Sequence, residues 1–533
     1  MNSTHAPFIL KILAALLIIW ALLFHGCFLF SAGALWRDEA NSMNQASLGS
    51  WRLLWESLRY DSFPLLYPVL LRAFLLAHAA SNDVSLRIFG VAMGVGILLS
   101  IWLAARISGS HLPVLALALL ALDPVLISEG DSIRPYGIGL LCLAWSFCAY
   151  GQLLVNPSAR WLGVAIVASI LTVQASYTGA IFIGVLGLSA AAVVVMQGAP
   201  RRLWKVLLPG FLAALSLLPY VGSLRQAREW ISILHYEVIW SKYVRDYAQT
   251  HSVAFPLVWL LAVLIGAYGL AKLFAFTRAG LVSTYPLIAF AVLGAAIGIV
   301  VQILFVQVMG VPPFPRYFLP GLMLAALALD LLTMEVAPAI RAATVLVVLL
   351  MTAWPSWSWV RQRHSNADIV GNLLAENVGP PDLVIVSPWF LHPSFQRYYR
   401  GPAPWTTVPE LPQQPLTRYD LVKNAMMDPE RENLLYGRIL RTLSDGGTIW
   451  FVSQSYPDRL AEESMPKPPA FSARPGGKDY VQFRSYWERD IIFRLYSCCS
   501  PTEWMQPKLG PVWKEERLVV TQWRPQRAVS GIK

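Results

Sequence analysis

The sequence predicts a polytopic α-helical membrane protein of about 11 transmembrane helices with a C-terminal extracytoplasmic α/β domain. Three observations carry that class. Hydrophobic residues make up 56% of the 533 and charged residues only 14%, whereas ordinary soluble domains carry about 25% charged residues. Apolar stretches of spanning length recur through residues 1–360, each near the roughly 20 residues that a hydrocarbon core requires. Over residues 361–533 the pattern changes to short buried strands alternating with helical segments, which favours a small, partly parallel sheet.

Taken in order, the predicted spans lie near 8–30, 84–107, 112–128, 136–155, 161–176, 178–197, 205–222, 253–275, 283–307, 318–336 and 342–359. The first has no basic run before it and no small-residue cleavage site after it, so it reads as a retained anchor rather than a signal peptide. The stretch from Phe63 to Ala80, interrupted by Pro64, Pro68 and Arg72, reads as an interfacial helix. With the N-terminus inside, the short inner loops carry Arg106, Arg160, Arg201, Arg202, Lys205, Lys272, Arg278 and Arg341, as the positive-inside rule asks. The net charge of +11 follows from that bias and does not call for a nucleic-acid partner.

This orientation puts Asp38, Glu39, Asp61, Glu129, Asp131, Arg134, Arg316 and the whole tail on the extracytoplasmic side. The long first outer loop, 31–83, holds Trp51, Leu54, Trp55 and Leu58 at helical spacing, a stripe expected to anchor at headgroup level. In the tail, Asp368–Glu376 and Asn433–Leu443 read as helices, and Asp382–Ser387 and Thr448–Val452 as buried strands. No glycine-rich loop joins strand to helix there, so nucleotide binding is not expected. Cys27, Cys142 and Cys148 lie in apolar stretches as small hydrophobes. The adjacent Cys498 and Cys499 lack zinc spacing, and one of them could pair in an oxidising compartment. His235 has no ligand-spaced partner, and His364 and His392 are expected at the surface.

The chemistry-bearing residues form a series along the outer face. Trp36-Arg37-Asp38-Glu39 places two adjacent carboxylates directly after the first span, where charges are costly and tend to be functional. Asp61 opens Asp61-Ser62-Phe63-Pro64-Leu65-Leu66-Tyr67. Glu129-Gly130-Asp131-Ser132-Ile133-Arg134-Pro135-Tyr136 lies between two spans, Tyr177 follows another, and Arg316-Tyr317 opens a late one.

In their order and common sidedness these motifs resemble those of the polyprenyl-phosphate-sugar-dependent membrane glycosyltransferases of the GT-C type, among them protein O-mannosyltransferases and lipid A aminoarabinose transferases. The resemblance covers roughly residues 8–400. It implies attack by an acceptor hydroxyl on the anomeric carbon of a lipid-phosphate sugar, with inversion and departure of the polyprenyl phosphate. It assigns Asp38 as general base and Glu39 to orienting sugar or acceptor, or to tuning Asp38 through like-charge repulsion. Asp131 is a further catalytic acidic residue. Arg134 and Arg316 would clamp phosphate, while Tyr136, Tyr177, Tyr317 and Asp61 would contact donor phosphate or sugar.

Two departures stand out. Ser62 and Phe63 occupy the place where many relatives have a histidine or lysine, and Asp131 lies three residues before Arg134 instead of two. No cofactor or metal is required, although a single divalent ion at Asp38, Glu39 or Asp131 is left open. The expected partners are the lipid-linked donor, a lipid, glycan or protein acceptor, and membrane lipids. A non-enzymatic flippase for lipid-linked sugars is the rival reading. It calls for charges spread through the midplane, whereas these cluster on one side.

Overall fold

The structure, a computed structural model, describes residues 8–78, 82–109, 112–276, 281–428, 430–457, 467–470, 476–503 and 510–525. Arg278 and most of the Pro-rich 464–475 stretch lie outside them. The chain divides into two compact units. The first comprises Met1–Phe30, Ser62–Gly222 and Glu237–Arg361; the second comprises Ser31–Asp61, Ser223–Tyr236 and Gln362–Lys533.

The first unit is helical. Nine helices among the described residues are long and apolar enough to cross a membrane, and the Ala159–Ala175 helix is slightly shorter. Together with one broken span, these account for the eleven predicted. The break falls in the stretch expected at 112–128, which forms two short helices, Val114–Ala121 and Pro124–Gly130. Asp123 causes it: its Oδ1 accepts the Val125 and Leu126 amides at 2.8 and 3.0 Å, and Pro124 starts the second helix. The Phe8–Ser31 helix shows how the unit meets lipid. Leu13, Leu17, Ala21, Phe24 and Phe28 form a buried stripe, while Ile12, Leu16, Ile19, Leu22 and Leu23 stay exposed. An apolar helix with one face buried and the rest uncovered is suited to hydrocarbon rather than water. The Leu66–His78 helix falls within the stretch read as interfacial.

The second unit holds a five-stranded sheet: β1 (Leu383–Val386), β2 (Trp405–Thr407), β3 (Ile449–Ser453), β4 (Cys499–Glu503) and β5 (Val519–Pro525), in the order β2-β1-β3-β5-β4. β1 runs parallel to β2 and β3, with Val384 opposite Trp405 and Trp450. β5 lies antiparallel to β3 and β4, with Trp523 opposite Ile449 and Pro501. All four residues of β1 and all five of β3 are buried, which is why they read as unbroken apolar runs. Asp382 ties the turn before β1 to β3, accepting from the Thr448 amide at 2.8 Å and from Trp450 Nε1 at 3.2 Å.

The histidine expectation is corrected here: His364 and His392 are 8% and 4% exposed. His392 lies against Trp389, with Nδ1 3.0 Å from the Trp389 carbonyl oxygen, and burial lowers it to about 4. The Cys498 and Cys499 sulfurs lie 3.3 Å apart without a disulfide bond between them. Trp51 and Trp55 of the Trp51–Ser57 helix are 57% and 38% exposed, whereas Leu54 is buried.

Candidate active site

The predicted residues fall into two groups, one in each unit. In the second unit, the helix Arg37–Ala46 begins directly after Trp36. Glu39 bends back so that its Oε2 accepts the Trp36 amide at 3.2 Å, satisfying one of the donors that a helix N-terminus leaves open. Both carboxylates lie in the first turn, where the helix dipole favours negative charge. The two neighbours nevertheless differ. Glu39 is fully buried, whereas the Asp38 side chain is 29% exposed.

Arg37 joins this turn to a residue the sequence did not single out. Its Nη1 lies 3.2 Å from Glu516 Oε1, and its backbone amide donates to Glu516 Oε2 at 3.3 Å. Its Nε lies 3.8 Å from Asp38 Oδ1, and its guanidinium sits 4.4 Å above the Phe390 ring. Glu516 is almost wholly buried. Burial pushes its carboxyl up to about 8, with Asp38 and Glu515 adding to the rise and Arg37 opposing it. Trp36 packs edge-on against Trp513 at 5.4 Å. The Leu35 amide donates to the Tyr398 hydroxyl at 2.7 Å, and Asn41 accepts the Thr417 amide at 2.8 Å. Residues from the C-terminal segment thus hold the carboxylate-bearing helix at several points. Asp61 ends the Leu58–Tyr60 turn, its amide donating to the Leu58 carbonyl at 3.3 Å.

In the first unit, the loop between the Pro124–Gly130 and Tyr136–Val155 helices brings together Arg134 and Tyr136 with Arg316 and Tyr317 of the Pro315–Leu332 helix. The Arg134 guanidinium lies 4.8 Å from the Phe63 ring and 6.0 Å from Tyr136. That of Arg316 lies 5.9 Å from Tyr136, 5.6 Å from Tyr317 and 4.4 Å from Phe314. Phe63 meets Tyr136 edge-on at 5.5 Å. The departure at Phe63 therefore has a physical role: an aromatic face supports a guanidinium where a cation was expected. Arg316 Nη1 is 3.5 Å from Glu129 Oε1. Arg134 and Arg316 thus bring two guanidiniums into a nearly closed setting, 8% and 10% exposed, where charge interactions are stronger than in bulk water.

Asp131 occupies a different place. It is fully buried, and both its oxygens lie 2.7–2.8 Å from His25 Nδ1. The Asp83–Ile107 helix passes so close that a β-carbon on Gly94 would fall 1.7 Å from Asp131 Oδ1. Tyr177 belongs to a neighbouring group, with its ring 6.0 Å from that of Tyr220. The Tyr220 hydroxyl donates to Gln174 Oε1 at 2.6 Å and accepts the Leu65 amide at 3.4 Å. The Phe63–Leu65 segment thus touches both groups. Among the described residues, no three His, Cys, Asp or Glu side chains come together at metal-ligand spacing.

Sequence reasoning missed Glu516, His25, Phe314 and Tyr220 as partners. The motif run beginning at Asp61 could have pointed to Phe63; nothing in the sequence pointed to Glu516.

No protein-family model and no curated protein matches the chain. Solved structures do. ArnT from Cupriavidus metallidurans bound to undecaprenyl phosphate is 13% identical, with a TM-score of 0.50 over 82% of this chain and 92% of that one. The Archaeoglobus fulgidus oligosaccharyltransferase in complex with zinc and sulfate is 11% identical, covers 82% of this chain and 67% of its own, and has a TM-score of 0.47. ArnT in the apo state has a TM-score of 0.36 at 13% identity, with 82% and 92% covered. The chain is an integral membrane protein with a GT-C-type fold.

Proposed function

We propose that the chain is an inverting glycosyltransferase that moves a monosaccharide from a polyprenyl-phosphate donor to an acceptor hydroxyl, on the extracytoplasmic face of the cytoplasmic membrane. The observation that carries this reading is the convergence of Arg134, Arg316, Tyr136 and Tyr317 in a membrane unit of GT-C-type fold. The ArnT structure of like fold holds undecaprenyl phosphate, which supports the same lipid class here.

In the reaction, the acceptor oxygen attacks the anomeric carbon as Asp38 takes the hydroxyl proton. The bond from the anomeric carbon to the phosphate oxygen breaks, and the polyprenyl phosphate leaves with the electron pair. Arg134 and Arg316 meet the charge that grows on the departing phosphate, and the tyrosines donate to its oxygens or to the sugar. Asp38 suits the base because its carboxylate reaches solvent, whereas Glu39 is engaged with the helix start and orients it. Asp131, held by His25, is kept as a further acidic residue of the reaction, and Asp61 as a contact to donor phosphate or sugar. The reaction as written moves charge and protons without a metal.

The test is turnover by purified protein with a panel of radiolabelled polyprenyl-phosphate sugars and membrane extract as acceptor source, with and without a chelator. Release of polyprenyl phosphate with labelled product supports the reading, and loss of that activity on chelation would assign a divalent ion to it. No turnover, with labelled donor crossing the bilayer of reconstituted vesicles, would establish the flippase instead.

A further inference from the structure

Far along the first helix from Asp131, the membrane unit has a second feature that the transfer reading leaves unused. His25, near the end of the Phe8–Ser31 helix, meets Asp131, whereas Lys11 lies in its first turn. Fourteen residues separate them, a rise of about 21 Å at 1.5 Å per residue. Lys11 therefore stands toward the opposite side of the membrane from the Glu129–Arg134 loop.

There a cavity of about 220 Å³ opens between the Phe8–Ser31 and Asp83–Ile107 helices and the start of the Val114–Ala121 helix. Its wall includes Ala15, Ile18, Trp102, Leu112 and Leu117, with Lys11 as the charged residue in the lining. The cavity exists because the third element is short. The helices beside it have 24 and 25 residues, whereas this one has eight and starts only after Pro113. The Leu112 carbonyl ahead of it is capped by Arg341 Nη2 at 3.4 Å, and Arg341 is neutralised by Asp330 at 3.7 Å.

Lys11 and Arg106 are different. Both are exposed, and neither has a carboxylate partner among the described residues. Arg106 sits 5.2 Å above the ring of Trp102, which lines the cavity. An apolar slot with two uncompensated cations and an indole beside it fits an acyl chain joined to an anionic headgroup. Basic pockets between helices are the usual place for such lipids.

We propose that this cavity seats an acyl chain of an anionic glycerophospholipid whose headgroup phosphate is held by Lys11 and Arg106, in the leaflet opposite the Glu129–Arg316 group. A zwitterionic phospholipid offers the same chain and phosphate but brings a cation toward two others. A polyprenyl phosphate shares the phosphate and is separated from the phospholipid by the experiment.

The experiment is native mass spectrometry of delipidated, full-length protein in neutral detergent, titrated with phosphatidylglycerol, phosphatidylcholine or undecaprenyl phosphate. Wild type is expected to retain one phosphatidylglycerol in preference to phosphatidylcholine. Each cation contributes about 1 kcal/mol, or about five-fold, so K11Q/R106Q is expected to weaken that binding roughly thirty-fold. Ala15→Phe, which fills the slot and leaves both charges, is expected to abolish it as well. Equal retention of the two phospholipids, or unchanged binding by K11Q/R106Q, overturns the proposal. So does displacement of phosphatidylglycerol by undecaprenyl phosphate with the same sensitivity to both variants. None of these readouts depends on transferase activity.

Discussion

Gly94→Ala is the sharpest single test of how the first unit is packed. Replacing an interior helical glycine by alanine ordinarily gains about 1 kcal/mol, from backbone entropy alone. At Gly94 the new methyl would lie 1.7 Å from Asp131 Oδ1 and 3.0 Å from both Asp131 Cγ and His25 Cε1. The carboxylate must then move by about 1.8 Å to reach ordinary van der Waals contact near 3.5 Å. A shift of that size parts it from His25, now 2.7 Å away. Leaving a buried polar group without its partner costs about 1–3 kcal/mol and overpacking adds about 1–3 kcal/mol, so the loss outweighs the helix gain and the net is roughly 1–5 kcal/mol of destabilisation. Gly163, in the Ala159–Ala175 helix, has nothing within 4 Å of an added methyl. It is the matched control, and its alanine variant should be neutral or slightly more stable. Thermal unfolding of both variants in the same detergent, read by circular dichroism, decides the matter. A G94A protein as stable as G163A would refute the His25–Asp131 packing described above.

Glu39→Ala removes the acceptor of the Trp36 amide and should cost about 1 kcal/mol of stability, while Glu39→Gln keeps an acceptor and costs less. If E39Q lost turnover as completely as D38N while melting like wild type, the division of labour between the two carboxylates would be wrong. Glu516 has its folded pKa raised from 4.5 to about 8. Its contribution to stability is therefore fully present below the unfolded value and is lost as pH rises through 8. The fluorescence-detected stability of wild type should fall between pH 5 and 9, with a flatter profile in E516Q; parallel profiles would argue against the buried carboxyl. Arg134→Gln and Arg316→Gln each remove a charge-assisted contact worth about 1.5–3 kcal/mol. Each should lower kcat/KM for the lipid donor by roughly ten- to a hundred-fold, with Arg316→Gln also lowering the melting temperature because it takes a charge from beside the buried Glu129, and unchanged kinetics would remove that arginine from the phosphate site.

What the sequence revealed depended on the range of the interaction. Hydropathy located the membrane helices because each span is a local property, and the all-buried strands Leu383–Val386 and Ile449–Ser453 were legible for the same reason. The stretch at 112–128 read as one span because its composition is apolar throughout, whereas the Asp123 cap divides it. The carboxylate pair was visible, but not its division into a buried helix-start residue and an exposed one. That division depends on where the Arg37–Ala46 helix begins. His25 and Glu516 were out of reach: they pair with residues 106 and 479 positions away in the chain, and neither carries a local motif. The surface expectation for His392 failed because polarity alone does not show that Trp389 and its surroundings enclose the imidazole. Phe63 counted as a departure in one dimension and became intelligible only with Arg134 above its ring.

The central claim is that Asp38 is the base in a transfer from a polyprenyl-phosphate sugar. Its most direct test is the initial rate of polyprenyl-phosphate release by purified wild type and Asp38→Asn protein, with matched melting temperatures and saturating donor. The account predicts turnover by wild type and a loss of about 10²–10⁴-fold in the variant, the range general-base catalysis supplies. Equal rates in the two proteins would contradict it.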